Sequence, residues 1–251
     1  LMEYISTCKR EFKPQTKFQY SCLNYITLQH IIETITGQSL RDFAKENIFD
    51  ILGMQYTDYL PTIQQQDGKW INTVACPWMD RIAPTEKQKD GSVLCGQVHD
   101  PLARILNGGI SGNAGIFSNA NDIGILAAAL LNGGEYNGRR ILSPLGVKTM
   151  CTVPRELTAF GRTPGWDIFS PYASNKGDLF SPNTFGHTGY TGTSIIIDPD
   201  NDTAVILLVN AVHPEDRHSI VRLRSLVANA VAASICPPAQ VYTDPVSYTH
   251  L

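Results

Sequence analysis

Apolar residues at Leu28, Ile31, Ile32 and Ile35 fall at i, i+3, i+4 and i+7, the spacing of one helix face. Gly37 follows where a helix C-terminal glycine belongs, so the pattern predicts a helix opened by Tyr20 and closed at Gly37. Ser39 then begins S-L-R-D, a capping-box-like start, followed by Leu40, Phe43 and Ala44, and a second helix is expected to about Ile48. Periodicity disappears over 56–116, where Pro61, Pro77, Pro84, Pro101 and many glycines predict a long loop ordered by its own contacts or kept for function. It returns with Asn121 as an expected N-cap, Ile123, Leu126, Ala127, Leu130 and Leu131 on one face, and Gly133 beyond the end. Ser143-Pro144, a cap followed by proline at the first helical position, predicts a short helix over about 144–150.

The period then shortens. TSIIIDPDNDTAVILLVN reads as a strand over Thr193–Ile197, a tight turn, and a strand over Thr203–Val209. Both runs are continuously apolar, so both sheet faces are expected to be covered. A last helix is expected from about Asp216 to Ile235, with Ile220, Leu223, Val227 and Val231 inward. Helices, then an antiparallel hairpin, then a terminal helix give an α+β class.

Composition changes this picture little. The 251 residues allow one large domain or two small ones, and the net charge of −3 offers no basic face, so nucleic acid is not an expected partner. The longest apolar run, Ile123–Leu131, is too short for a bilayer span, and no transmembrane segment is expected. Cys8, Cys22, Cys76, Cys95, Cys151 and Cys236 are scattered without a C-x-x-C, so no metal site, no cofactor and no disulfide scaffold is expected.

Candidate chemistry lies in two stretches. FGHTG, at 185–189, stands at the entrance of the first predicted strand and offers a cation-capable His187, the Thr188 hydroxyl and a bare Gly189 along which an extended substrate can pair. Tyr20 sits near the positive end of a helix dipole, which favours its phenolate and a role as general base. Either stretch alone also reads as structure, a glycine-rich turn and an amphipathic tyrosine. His99-Asp100, in the long loop, is expected to brace the loop rather than to act in catalysis.

Together the two stretches resemble the serine β-lactamase and penicillin-binding-protein superfamily, in particular its class C-like hydrolases and esterases. There one helix carries Ser-x-x-Lys, a second element Tyr-x-Asn, and a strand edge Lys-Thr-Gly or His-Thr-Gly. YSC at 20–22 matches the second motif and HTG at 187–189 the third. YSCLNYITLQHIIETITGQSLRDFAKENIFDILGM, GISGNAGIFSNANDIGILAAALLNGG and FGHTGYTGTSIIIDPDNDTAVILLVN extend the likeness over roughly 18–235.

The resemblance implies a β-lactamase/transpeptidase-like fold, an antiparallel sheet flanked by helices. It also implies acyl transfer in which a serine attacks a carbonyl while Tyr20 moves its proton. The backbone N–H of Tyr190 would face the oxyanion, His187 and Thr188 would orient the leaving side or a substrate carboxylate in the catalytic site, and Cys22, Asn24, Thr188 and Gly189 would contact substrate. Two departures narrow the substrate. Cys22 stands where the family has Asn or Asp, with Asn24 able to take over its contact, and His187 replaces the commoner lysine, so the charge there is expected to depend on pH and to attract a carboxylate less than lysine would. Both count against an efficient β-lactamase and fit an esterase or a cell-wall peptidase better. A true β-lactamase and a non-catalytic module that binds cell-wall peptide remain the alternatives.

The one Ser-x-x-Lys string, S-T-C-K at 6–9, precedes a polar stretch unlike the family's nucleophile helix and is rejected as the nucleophile. The expectation is therefore a partial hydrolase domain over 1–244, truncated before its nucleophile and inactive by itself. Residues 245–251, PVSYTHL, resemble translated sequencing-adapter read-through and are expected to be a non-native tail. The resemblance further implies a small-molecule or peptidoglycan-like peptide substrate and a place in the bacterial cell envelope, periplasm or outside the cell.

Overall fold

Three side chains start three helices. Ser21 accepts a hydrogen bond from the Leu23 N–H, Ser39 accepts one from the Asp42 N–H, and Ser143 accepts one from the Gly146 N–H with Pro144 at the first helical position. The computed structural model describes residues 1–14, 16–170, 176–217 and 219–235. Cys236 and the expected tail 245–251 lie outside the described residues.

The helices are α1 (Met2–Thr7), α2 (Cys22–Thr36), α3 (Leu40–Ala44), α4 (Asp50–Leu52), α5 (Ala120–Leu131), α6 (Pro144–Cys151) and α7 (Val221–Ser234), with a π-helical turn over Lys45–Phe49 joining α3 to α4. Antiparallel pairs join β1 (Asp58–Tyr59) to β4 (Ile116–Phe117), β2 (Thr62–Gln64) to β3 (Trp70–Asn72), and β5 (Glu135–Tyr136) to β6 (Arg139–Arg140). The largest described sheet holds β7 (Phe185–Thr188), β8 (Thr193–Asp198) and β9 (Thr203–Leu208) in that order, all antiparallel. The α+β class holds.

Both faces of this sheet are covered, as the apolar runs predict. Phe185 and Ile197 pack with Ala127 and Leu130 of α5, Val147 of α6 and Ile168. Ile196 and Val205 pack on Ala228 of α7. A separate cluster joins Leu40, Phe49, Leu52, Met54 and Tyr59 to Ala129 of α5.

Several expectations need correction. FGHT does not merely lead into a strand; it is the strand β7, registered as Phe185 opposite Ile197 and His187 opposite Ile195. The helix capped near 121 begins two residues earlier, because the Asn119 side chain accepts from Asp122 N–H at 2.8 Å. The terminal helix starts at Val221 rather than Asp216, and Leu223 is exposed on it. The stripe on α2 is also turned. Leu28, Ile31 and Ile35 are exposed, Ile35 at 78%, whereas Ile26 and Gln29 are buried.

Gln29 explains that rotation. Its Nε2 donates to the Ile110 carbonyl at 3.1 Å and its Oε1 accepts from Gly112 N–H at 3.0 Å. These bonds pin the polar side of α2 to the loop 109–115. Gly112 permits the contact, since a Cβ there would stand 2.1 Å from the Tyr25 carbonyl oxygen. The long loop 56–116 is thus ordered by its own short strands and by α2.

Candidate active site

Tyr20 does not open a helix; it precedes the cap Ser21, and α2 begins at Cys22. It is exposed in part and lines a cleft of ≈ 230 Å³ together with Phe18, Gln19, Ser21, Asn24, Tyr25, Pro154, Leu157, Phe160, Arg162, Thr163 and Pro164. Asn24 therefore shares the cleft with Tyr20, although the two are not one helical turn apart. Cys22, at the first position of α2, is not among the cleft residues. Tyr25 ties α2 to the opposite wall, its hydroxyl donating to the Pro164 carbonyl at 3.1 Å.

Arg162 connects this cleft to β7. Its guanidinium carbon lies 5.6 Å from the Tyr20 ring centroid and 5.7 Å from that of Phe18. Its Nη2 donates to His187 Nε2 at 3.0 Å, and its Nη1 meets Asp167 Oδ2 at 3.3 Å. His187 Nδ1 lies 3.0 Å from the Thr188 carbonyl oxygen. An arginine nitrogen is only a donor and a carbonyl oxygen only an acceptor, so Nε2 carries the lone pair and Nδ1 the proton. His187 is thus a neutral imidazole with both nitrogens engaged. Burial pushes its pKa below the ordinary value; the bond to Thr188 opposes this, the Arg162 charge adds to it, and Asp167 opposes it. The expected pH-dependent cation at His187 is corrected accordingly: the standing positive charge beside β7 belongs to Arg162.

Asp167 holds the arrangement from behind. It is buried, accepts from Ser170 Oγ at 2.7 Å, and exchanges backbone bonds with Gly186, N–H to O at 2.9 Å and 3.0 Å. Those bonds close the outer edge of β7 at Gly186. Backbone groups of alternate residues point to the same side of a strand, so Thr188 presents its own on that side, past the bridge. Gly189 serves the turn: its N–H donates to Thr193 O at 2.8 Å, and a Cβ on it would meet Thr193 Oγ1 at 2.4 Å. Gly192, at φ +121°, lets the chain pass within reach of the Val209 carbonyl, where a side chain would clash. Arg224 of α7 clamps the turn by donating from Nη2 to Gly189 O at 2.9 Å and Thr193 O at 3.1 Å.

The side chain of Tyr190 leaves the cleft. Its hydroxyl donates to Asp216 Oδ2, and its ring stacks on His99 with centroids 5.7 Å apart at 20°. His99 Nε2 meets Glu86 Oε2 at 3.2 Å, and Asp100 Oδ1 accepts from Ala103 N–H at 2.8 Å. His99-Asp100 therefore braces the loop, and does so against Tyr190.

Ser6 is exposed in α1 and donates to the Glu3 carbonyl at 2.8 Å; Lys9 lies beyond the helix, which ends at Thr7. The two do not share a helical turn. Cys151 is no substitute nucleophile, because burial pushes its thiol up to about 11. Among the described residues no group of three or more His, Cys, Asp or Glu is placed to hold a metal ion, and no helix is long and apolar enough to cross a membrane.

Arg162, Asp167 and Arg224 are the residues that sequence reasoning missed. The signal available for Arg162 was a lone cation in GRTPGW, a segment otherwise built of turn formers and a tryptophan.

A family model described as Beta-lactamase matches residues 1–229. A protein of Escherichia coli (strain K12), provisionally named a D-alanyl-D-alanine carboxypeptidase, is 35% identical over 226 residues, covering 84% of this chain and 49% of its own. A protein of Salmonella gallinarum with the same name is 33% identical over the same shares. The chain spans about half the length of the curated relatives it matches. Among solved structures, a beta-lactamase from Mycobacterium bovis aligns with a TM-score of 0.57 at 21% identity, over 89% of this chain and 66% of that one. A family VIII carboxylesterase aligns with a TM-score of 0.55 at 18% identity, over 88% and 60%. These likenesses show the fold.

Proposed function

Since the chain belongs to the beta-lactamase family, we propose that it carries the tyrosine and strand-edge parts of a serine acyl-transfer site that acts on an ester or a D-amino-acid peptide of cell-wall type. The observation that carries this reading is the meeting of two distant stretches. Tyr20 and His187 both contact one guanidinium, that of Arg162.

Tyr20 is the group that moves the proton, from a serine supplied by protein outside these 251 residues. Both the placement of Ser6 and the chain's half-length coverage of its relatives support that division. The Tyr190 N–H, just past β7, is the oxyanion donor on this side of the carbonyl. Thr188 and Asn24 orient the substrate, and Gly189 shapes the turn that holds the Tyr190 backbone. The domain covered by this chain is a part of the hydrolase, extending over 1–244. The carboxypeptidase name borne by the relatives supports the peptide over the β-lactam and a site of action in the cell envelope.

The test uses the protein extended to the length of its relatives. Release of D-alanine from a D-alanyl-D-alanine peptide, hydrolysis of a p-nitrophenyl ester and hydrolysis of nitrocefin are compared for wild type and Tyr20→Phe. Loss of a general base lowers kcat by about 10²–10⁴-fold, with KM little changed. An unchanged kcat removes Tyr20 from the mechanism. The 251-residue chain alone turns over none of the three; turnover by it that disappears in Ser6→Ala would put the nucleophile at Ser6 instead.

A further inference from the structure

We propose that a second cavity, separate from the Tyr20 cleft, is a binding site for a small anionic ligand built on a flat ring, of which an aromatic carboxylate is the simplest case. The proposal goes beyond the hydrolase reading and does not depend on it.

The cavity has a volume of ≈ 1040 Å³ and shares no lining residue with the Tyr20 cleft. Its walls come from the helical run 41–52, the segment 53–78 and the β5–β6 hairpin. Sites for small organic ligands have volumes of about 300–1,000 Å³. Phe49, Leu52 and Met54, buried in one core cluster, form its apolar base. Tyr56, Trp78 and Tyr136 supply aromatic walls.

The charges of the lining do not balance. It holds three cations, Arg41, Lys45 and Arg139, and two carboxylates, Asp50 and Asp58. Asp58 is taken by the fork of Arg41, Nε to Oδ1 at 2.8 Å and Nη2 to Oδ2 at 2.7 Å. Asp50 is taken by Lys45, Nζ to Oδ1 at 2.6 Å. Arg139 pairs with no carboxylate among the described residues. Its Nη1 donates to the carbonyls of Asp50 and Ile51, at 3.5 Å and 3.4 Å, at the end of α4. Among the described residues its Nε and Nη2 take no hydrogen-bond partner. Arg81 adds to the surplus, its guanidinium carbon 5.0 Å from the Tyr56 ring centroid and likewise without a carboxylate among the described residues. The chain as a whole carries −3, so the cavity reverses the sign of the molecule locally.

The hairpin presents a ring and a cation together. Asn137 and Gly138, at φ 49° and 74°, make the two-residue turn, and Tyr136 stands opposite Arg139. Residues directly opposite on an antiparallel pair share a face. Arg140, the next residue, belongs to the other face. There it pairs with Glu135 and donates to the carbonyls of Gly133 and Leu142. One arginine of GRRI is thus used by the fold, and the other is left to the cavity. A flat ring among the aromatic walls that carries an anion to the open edge of Arg139 supplies the partner the chain lacks.

The experiment titrates 2-naphthoate and 2-naphthamide into the 251-residue chain at about pH 7.5, where the carboxylate is ionised, by calorimetry and NMR. The acid is expected to bind about tenfold tighter than the amide, as one charged hydrogen-bonding partner implies. Shift changes are expected over 53–58, 75–78 and 136–139 and not over 18–25. Arg139→Gln brings the acid-to-amide ratio close to one, and Arg139→Lys keeps part of it. Tyr56→Leu weakens both ligands by a similar factor.

Arg139 is exposed and makes only two long bonds, so its variants should melt as the unaltered chain does. The ratio and the shift map of the unaltered chain do not depend on any variant. A ratio near one there overturns the proposal, as does the absence of binding by either ligand. Shift changes centred on 18–25 overturn it by moving the ligand to the Tyr20 cleft. A ratio that survives Arg139→Gln removes the arginine, and with it the site as proposed.

Discussion

Arg162 and His187 share one hydrogen bond of 3.0 Å in which the arginine donates and the imidazole accepts, and this makes the histidine a neutral structural partner of a cation. The sign of its titration follows. Burial lowers the His187 pKa below the ordinary value of about 6.5. The folded state therefore binds fewer protons than the unfolded chain just below that value. The stability His187 contributes is fully present above about pH 6.5 and is lost progressively as pH falls towards the depressed pKa.

The expected outcome is a fall in melting temperature as pH drops below about 6.5, with the fall reduced in His187→Gln, and an NMR titration midpoint for His187 below that of an unstructured histidine. A midpoint at or above about 6.5 contradicts the neutral assignment.

A second acid-sensitive point lies at the far end of the same sheet. Asp198, fully buried at the end of β8, accepts from Ser181 N–H at 3.0 Å, Ser181 Oγ at 2.7 Å, Asp200 N–H at 3.0 Å and Asn201 Nδ2 at 2.7 Å. Burial by itself would raise its pKa, but the bonds from Ser181, Asn201 and Asp200 outweigh it and hold the pKa below the carboxylate value. A depressed carboxylate stabilises the fold above its unfolded pKa of about 3.9 and loses that contribution as pH falls through the folded value. Asp198→Ala is expected to cost about 2–3 kcal/mol at neutral pH, through donors left without an acceptor. Urea unfolding at pH 7 and pH 3 checks both statements: the difference between wild type and variant should shrink at the lower pH.

What was legible in the sequence follows from how local each determinant is. Ser39 and Ser143-Pro144 act within one turn, and the helices begin where these residues say. The runs Thr193–Asp198 and Thr203–Leu208 are long and apolar, and they form β8 and β9 within a residue of expectation. The strand nature of FGHT was hidden because a four-residue stretch with a glycine has no period of its own; it is a strand only because Ile195 and Ile197 stand opposite. The α2 stripe has a helical period, but the period does not say which way the stripe faces. Gln29 decides that through partners about eighty residues away. Arg162 lies in a segment without periodicity, and its meaning comes from Tyr20 and His187, each distant in the chain.

The rotation of α2 carries its own prediction. Gln29→Leu leaves the Gly112 N–H and the Ile110 carbonyl without the amide that satisfies them, each such loss costing about 1–3 kcal/mol. Gly112→Ala drives a methyl group into the Tyr25 carbonyl and should cost a similar amount, about 1–3 kcal/mol. Because both changes break one junction, the double variant should lose less than the sum of the singles. Chemical denaturation of the four proteins measures the coupling. Strict additivity would mean that the loop 109–115 is not what fixes α2.

The backbone and the side chain of Tyr190 face different tasks. The phenol is 75% exposed, yet it joins the loop that carries Glu86 and His99 to the segment that carries Asp216. The same two segments are also tied by Lys87 N–H to Pro214 O at 2.8 Å and by His213 Nδ1 to Thr85 O at 2.7 Å. Tyr190 is thus one of several clasps, and its removal should loosen the loop without unfolding the chain.

Tyr190→Phe keeps the ring on His99 and loses only the bond to Asp216, whereas Tyr190→Ala loses both. Hydrogen exchange should quicken over residues 85–94 in the alanine variant and change little in the phenylalanine variant, because a stacked ring contributes about 0.5–1.5 kcal/mol and an exposed hydroxyl bond less. The rest of β8 and β9 should exchange as in wild type. Equal quickening in both variants would transfer the clasp from the stack to the Asp216 bond. No quickening in either would leave Lys87 and His213 as the contacts that hold the loop.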